Sequence, residues 1–243
     1  MKIIYIILYL TGFMYSQNIT DPPYVYSGGW PVNINSDKIK DPGYDGVCPG
    51  STGCECISNT DCFNNNCRSH PKGNYCVPKK GDIMPRFEAI DQFGESVDLY
   101  DFANQGKMVL IELSAAWCSP CRDLSSWITS DDPSIKNNPW WKDRYLPIRD
   151  MINSGEIYLI NFMFEGEDKT NKATATFDDV KDWYRKYPSP NIPVLADEYR
   201  FIHSWVRPTG LPCIFLIDED MKIVNYTNRG LNDAFLYLTQ KQK

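Results

Sequence analysis

Apolar runs and apolar positions at helical spacing alternate along this chain, and the alternation starts only after residue 80. Met108 to Leu113 is apolar except for Glu112, the pattern of a central strand covered on both faces. Beyond Cys118, the positions Leu124, Trp127 and Ile128 recur at helical spacing and predict a helix. Ile157 to Phe164 reads as a second buried strand. Thr176-Phe177-Asp178-Asp179 has the form of a capping box, opening a helix through Trp183 and Tyr184 that Pro188 ends. Pro193 to Leu195 predicts a short strand, and Asp197 a cap for a short helix toward Trp205. Cys213 to Ile217 and Met221 to Tyr226 flank the turn Asp218-Glu219-Asp220 as a hairpin. Asn232 starts a final amphipathic helix with Phe235, Leu236 and Leu238. Strand and helix in alternation predict an α/β domain over residues 81–243.

Three other segments do not follow this rhythm. Residues 130–153 are too long for an ordinary connection and carry Trp140, Trp141, Tyr145 and Met151, so an insertion packed on the domain edge is expected. Residues 17–46 mix Pro, Gly, Asn, Asp and Ser with scattered aromatics, which predicts an extended, weakly ordered leader. Residues 1–16 hold one early cation, Lys2, and then an apolar run from Ile3 to Leu10. That run is shorter than the roughly 20 residues of a membrane span and fits an export signal, or a membrane anchor where uncleaved. Asn18-Ile19-Thr20 and Asn225-Tyr226-Thr227 are formal glycosylation sequons.

A hydrophobic content of 42% supports a packed core, and a net charge of −6 argues against nucleic acid as a partner. The nine cysteines point the same way as the apolar N-terminus, because disulfides persist in oxidising compartments. An exported protein, periplasmic or extracellular, is expected. Six of the nine, Cys48, Cys54, Cys56, Cys62, Cys67 and Cys76, fall within residues 47–80, where aliphatic residues are too few to build a core. Three structural disulfides are expected, in one of about 15 pairings. A zinc cluster using His70 is the competing reading, and the lack of paired C-x-x-C knuckles weighs against it. The segment is loosely similar to the short EGF-like or knottin-like modules of extracellular proteins.

Trp117-Cys118-Ser119-Pro120-Cys121 lies between a predicted buried strand and a predicted helix. A cysteine at a helix N-terminus is stabilised as thiolate by the macrodipole and by unpaired backbone N–H groups. Two intervening residues let a second sulfur reach the first from the opening turn, where the missing N–H of Pro120 is no loss. Together with Gly210-Leu211-Pro212, Phe215-Leu216-Ile217-Asp218, Gly81 to Phe87 and Gly106-Lys107, this motif resembles the thioredoxin superfamily, most closely its exported TlpA/ResA-like branch. The likeness covers about two thirds of the chain. It implies a four- or five-stranded sheet flanked by helices, with Pro212 as a cis-proline facing the cysteines. It also implies an exposed Cys118 that attacks, Cys121 that resolves, and Trp117, Ser119, Pro120 and Leu211 lining the place of a bound protein thiol or disulfide. Such exchange needs no cofactor and no metal, but it needs a redox partner protein.

Glu112, six residues before Cys118, is either a buried acid that accepts the Cys121 proton or an acid shifted by one register position to an exposed strand end. Cys213 reads as a buried small side chain, with a third exchange-competent sulfur as the alternative. His70 and His203, the chain's two histidines, are expected in packing or surface roles. A peroxiredoxin would need a Thr-x-x-Cys setting that Ser114 to Cys118 lacks, and copper delivery would need a three-residue gap between the cysteines. An extracellular interaction protein using the domain as a scaffold is the non-enzymatic alternative.

Overall fold

In a computed structural model of the protein, residues 24–168, 170–226 and 231–240 are described. The expected export signal, the first part of the leader, the sequon at Asn18 and Thr227 of the second sequon lie outside these residues. The Cys-rich segment holds the hairpin β1 (Cys67–His70) and β2 (Gly73–Cys76). A second hairpin follows, β3 (Glu88–Ile90) and β4 (Ser96–Asp98). Then come β5 (Val109–Ala115), α1 (Ser119–Ser130), α2 (Leu146–Asn153), β6 (Tyr158–Glu165) and α3 (Phe177–Lys186). The chain continues through β7 (Val194–Ala196), α4 (Phe201–Val206), β8 (Cys213–Ile217), β9 (Ile223–Tyr226) and α5 (Asn232–Gln240). Among the described residues no helix is long and apolar enough to cross a membrane.

The expected α/β class forms: a central mixed sheet flanked by helices. Among the described residues its seven strands run in the order β4-β3-β7-β6-β5-β8-β9, against the four or five that the family resemblance implies. The extra width comes largely from the β3–β4 hairpin, which joins through Ile90 opposite Ala196. The centre is parallel, β5 beside β6 and β6 beside β7, and β8 returns antiparallel on the other side of β5. Alternation along β5 divides the core. Val109, Ile111 and Leu113 face a cluster with Phe162, Phe215 and the α4 residues Ile202 and Trp205. Leu110 faces the opposite cluster, formed with Leu124, Trp127 and Ile128 of α1, Ile148 and Ile152 of α2, and Phe235 of α5. The 130–153 segment is thus a core-forming edge, with Ile135, Tyr145 and Ile148 fully buried. The capping box on Thr176 and Asp179 is present at the start of α3.

The leader departs from the expected weak order, because its aromatic residues have buried partners on the domain. Tyr26 and Trp30 are 5% and 6% exposed. The Tyr26 hydroxyl donates to Asp101 at 2.7 Å and the Trp30 indole N–H to Asp91 at 2.9 Å. Asn33 adds bonds from its backbone N–H to Asp101 and from its amide to the Tyr100 and Ala103 carbonyls. Gly28 makes room for this strap, since a Cβ there would sit 2.2 Å from the Trp30 ring. Trp30→Phe keeps an aromatic ring but removes the bond to a buried carboxylate and part of the indole's apolar contact. It should cost about 1.5 kcal/mol in urea unfolding, and an unchanged midpoint would refute the strap.

Of the possible pairings in the Cys-rich module, Cys48–Cys54, Cys56–Cys67 and Cys62–Cys76 are formed. The Cys56, Cys62 and Cys67 sulfurs lie within 4.8 Å of one another, but each is engaged in one of two adjacent disulfides.

Candidate active site

The parallel strand β5 ends at Ala115, and the chain turns at once into α1. Cys118 is the N-cap of that helix, in extended conformation, and Pro120 falls in the first turn, where no backbone hydrogen bond is lost. Cys118 and Cys121 form a disulfide. The Cys121 backbone N–H also points at the Cys118 sulfur, at 3.2 Å. The arrangement places one sulfur at the positive end of a three-turn helix and leaves the other, fully buried, inside its first turn.

Cys118 is not exposed as the family resemblance implies; it is 2% accessible. The reason is an apolar cluster around the disulfide: Ala115, Ala116, Met163 and Phe164 below, with half-buried Trp117, Phe177, Tyr187 and Leu211 packed against it. Trp117 is held by its neighbour strand, its indole N–H donating to Glu165 at 2.9 Å. The other Glu165 oxygen accepts from Arg200 at 2.8 Å. Arg122 closes the loop from the helix side through a 2.8 Å bond to the Ala116 carbonyl. Glu165 is the site neighbour that the motif does not reveal; an acid at the end of an apolar run destined to lie beside β5 was its only signal.

The Leu211–Pro212 peptide is cis, and Pro212 is buried directly before β8. The antiparallel register sets Cys213 opposite Leu113, which brings Leu211 onto the Cys118 cluster. Trp117, Pro120 and Leu211 are half-buried and Ser119 is exposed, so these four form the accessible rim of the site.

Comparison with solved structures adds a likeness at this point. The thioredoxin domain of a thiol-disulfide oxidoreductase from Bacteroides vulgatus is 23% identical over 68% of this chain and 98% of its own length, with a TM-score of 0.42. A thiol:disulfide interchange protein from Bacteroides sp. is 23% identical over 67% of this chain and 89% of its own, with a TM-score of 0.44. The pneumococcal exposed lipoprotein thioredoxin from Streptococcus pneumoniae is 24% identical over 65% and 99%, with a TM-score of 0.43. The chain is similar to thioredoxin-like proteins. No protein-family model matches it, and no curated protein does.

Glu112 lies in the middle of β5, between Asn161 and Ile214, and is 1% exposed, so the reading of an acid at an exposed strand end is overturned. One carboxylate oxygen accepts from the Asn161 amide at 3.0 Å, and Asn161 accepts in turn from the Ser114 hydroxyl. The other oxygen has no hydrogen-bond partner among the described residues. The side chain borders a cavity of about 10 Å³, whose wall includes Ser125 and Thr129 of α1 and Trp183 and Tyr187 of α3. That is room for about one water. Burial raises the Glu112 pKa to about 8 against the opposing Asn161 bond. Ser125 follows Cys121 by one helical turn, so the acid sits beneath the helix face that carries Cys121.

Cys213 retains its thiol and is fully buried, but it belongs to the core cluster of Phe215 and Ile217 and not to that of Cys118 and Cys121. Burial pushes its pKa up to about 12. It is therefore not brought together with Cys118 and Cys121. Half-buried His203 stacks on Phe164 with ring centroids 4.3 Å apart. Its pKa is held down near 4, first by burial and then by Arg200, Arg207, His70 and Lys72.

Proposed function

We propose that this chain catalyses thiol–disulfide exchange on exported proteins, with Cys118 as the attacking sulfur and Cys121 as the resolving one. The observation that carries the reading is the Cys118 sulfur at the N-cap of α1, accepting the Cys121 N–H. The same N–H and the helix dipole would stabilise a thiolate at Cys118 once the disulfide is reduced, which makes it the better nucleophile. Cys121, fully buried inside the first turn, is not at that N-terminal position.

In the reducing direction, the Cys118 thiolate attacks one sulfur of a partner disulfide, and the second partner sulfur leaves and takes a proton. Cys121 then gives its proton toward Glu112 and attacks the Cys118 sulfur of the mixed disulfide. This expels the first partner sulfur and closes Cys118–Cys121. Partner gains two thiols and the protein one disulfide; in the oxidising direction the steps reverse. With a pKa near 8 Glu112 is partly ionised around neutral pH, and it is this ionised form that accepts the proton. Pro212 has no N–H to compete, and the backbone beside it would hold the partner chain in an extended pose over Trp117, Pro120 and Leu211. Because Cys118 is nearly covered, the partner must seat itself on this rim before the sulfurs meet.

The apolar run of residues 3–10 and three disulfides in residues 48–76 support placement outside the cytosol. Equilibrating the protein against glutathione buffers and counting thiols by mass tests the function. A two-electron titration of Cys118–Cys121 is expected. A potential near that of thioredoxin, about −270 mV, identifies a reductant, and one near −120 mV an oxidant. A pair that never titrates would leave the domain as a scaffold.

A further inference from the structure

The six-cysteine module touches the domain at a stretch with direct bearing on the site. Arg207 and Pro208 lie five and four residues before Pro212, at the start of the loop that packs Leu211 onto the Cys118 cluster. Arg207 ends α4 as a left-handed C-cap with φ at 52°, which turns the chain into this loop. Its backbone N–H closes α4 on the His203 carbonyl at 2.9 Å, and its side chain reaches across to the module. The Arg207 Nε donates to the Gly53 carbonyl at 2.9 Å, and its guanidinium lies over the Tyr75 ring, 4.7 Å from the centroid. Gly53 itself is pressed onto α4, where a Cβ would stand 2.4 Å from the Ser204 carbonyl oxygen.

His70, at the end of β1, completes the contact. Its Nε2 faces the Pro208 carbonyl at 3.2 Å, and its Nδ1 accepts the Lys72 backbone N–H at 3.2 Å. A carbonyl can only accept, so the two bonds together select the neutral ring with the proton on Nε2. Tyr75 meets the same ring edge-on at 5.3 Å and so contacts both His70 and Arg207. Three disulfides over residues 48–76 keep these groups from yielding. Pro208, with its fixed φ, transmits their position stiffly into Thr209, Gly210 and Leu211.

We propose that the module is a clamp on the loop before Pro212, with His70 and Arg207 as positioning residues that set affinity for protein disulfides. The proposal rests on the exchange function given above. A loop no longer held in place makes weaker contacts with a bound chain, and a loss equivalent to one hydrogen bond is about five- to tenfold in affinity. Small dithiols, which need no extended docking surface, should not sense the clamp.

The test uses the full chain with dithiothreitol as electron donor and a disulfide-closed peptide as acceptor. His70→Ala and Arg207→Met should each raise the peptide KM about five- to tenfold. The kcat, the exchange rate with dithiothreitol alone and the potential of the Cys118–Cys121 pair should stay at wild-type values. His70→Gln, whose amide nitrogen can donate to the Pro208 carbonyl, should restore KM. Unchanged KM in both variants overturns the clamp, as does a parallel loss in kcat or a shift in potential, or failure of His70→Gln to rescue. A wild-type pair that does not exchange with dithiothreitol overturns the function and the clamp together; normal wild-type exchange with insensitive variants overturns the clamp alone.

Discussion

Cys118→Ser should abolish disulfide exchange, lowering the rate by about 10³-fold or more, while leaving the fold intact. Serine is itself a good N-cap, so the hydroxyl can take over the Cys121 N–H that the sulfur accepts, and α1 keeps its start. What is lost is the one sulfur placed at the helix N-terminus. Cys121→Ser should behave differently. Cys118 still attacks, but no second sulfur is available to resolve, so mixed disulfides accumulate and become visible by mass spectrometry as adducts on Cys118. The proposed order of the two roles rests on position, since Cys118 is the N-cap of α1 beside exposed Ser119 and half-buried Trp117, and Cys121 lies inside the first turn. Adducts on Cys121 in the Cys118→Ser variant, or equal activity in both variants, would reverse or sink the assignment.

The second large effect concerns Glu112. Its pKa is raised from the ordinary 4.5 to about 8 by burial, so between those values the folded protein holds a proton that the unfolded chain has released. The unfolded state then binds fewer protons, and stability falls as pH rises through this window. Glu112→Gln removes that dependence while keeping an oxygen for the Asn161 amide. Below about pH 4.5 the two proteins should be equally stable. Above about pH 8 the variant should be more stable by on the order of 4 kcal/mol, seen as diverging urea midpoints. The same substitution should slow release of the mixed disulfide by about 10²-fold, because the proton of Cys121 loses its acceptor. Parallel stability curves across pH would mean that the carboxylate is solvated in the folded protein. An unchanged resolving step would remove Glu112 from the proton path.

The burial of this carboxyl in mid-strand supports the proposal that it serves the exchange. A buried acid with one oxygen unpartnered is costly in a central strand, and nothing in the packing of β5 requires it. Leu110 on the same face shows what packing alone selects there.

Much of this architecture was legible in local pattern. The β5 run, the helical spacing of Leu124, Trp127 and Ile128, and the Thr176 capping box are each decided by residues a few positions apart, and each element formed where the pattern placed it. Cys118 as the first sulfur of a helix N-terminus was legible for the same reason. The leader was not, because Tyr26 and Trp30 draw their burial from Asp101 and Asp91, more than 60 positions away in the chain.

By itself, then, the sequence determined the α/β class, the seat of the Cys118–Cys121 pair and the need for staples in residues 47–80, since periodicity, capping and scarcity of apolar residues act locally. Only the tertiary structure decided the remainder. It chose among fifteen disulfide pairings, covered Cys118, buried Glu112 in mid-sheet, placed Cys213 in a separate core cluster and set the module against Arg207 and Pro208. Each depends on which strand lies beside which and on which face a side chain meets, and long-range pairing of that kind leaves no mark in neighbouring residues.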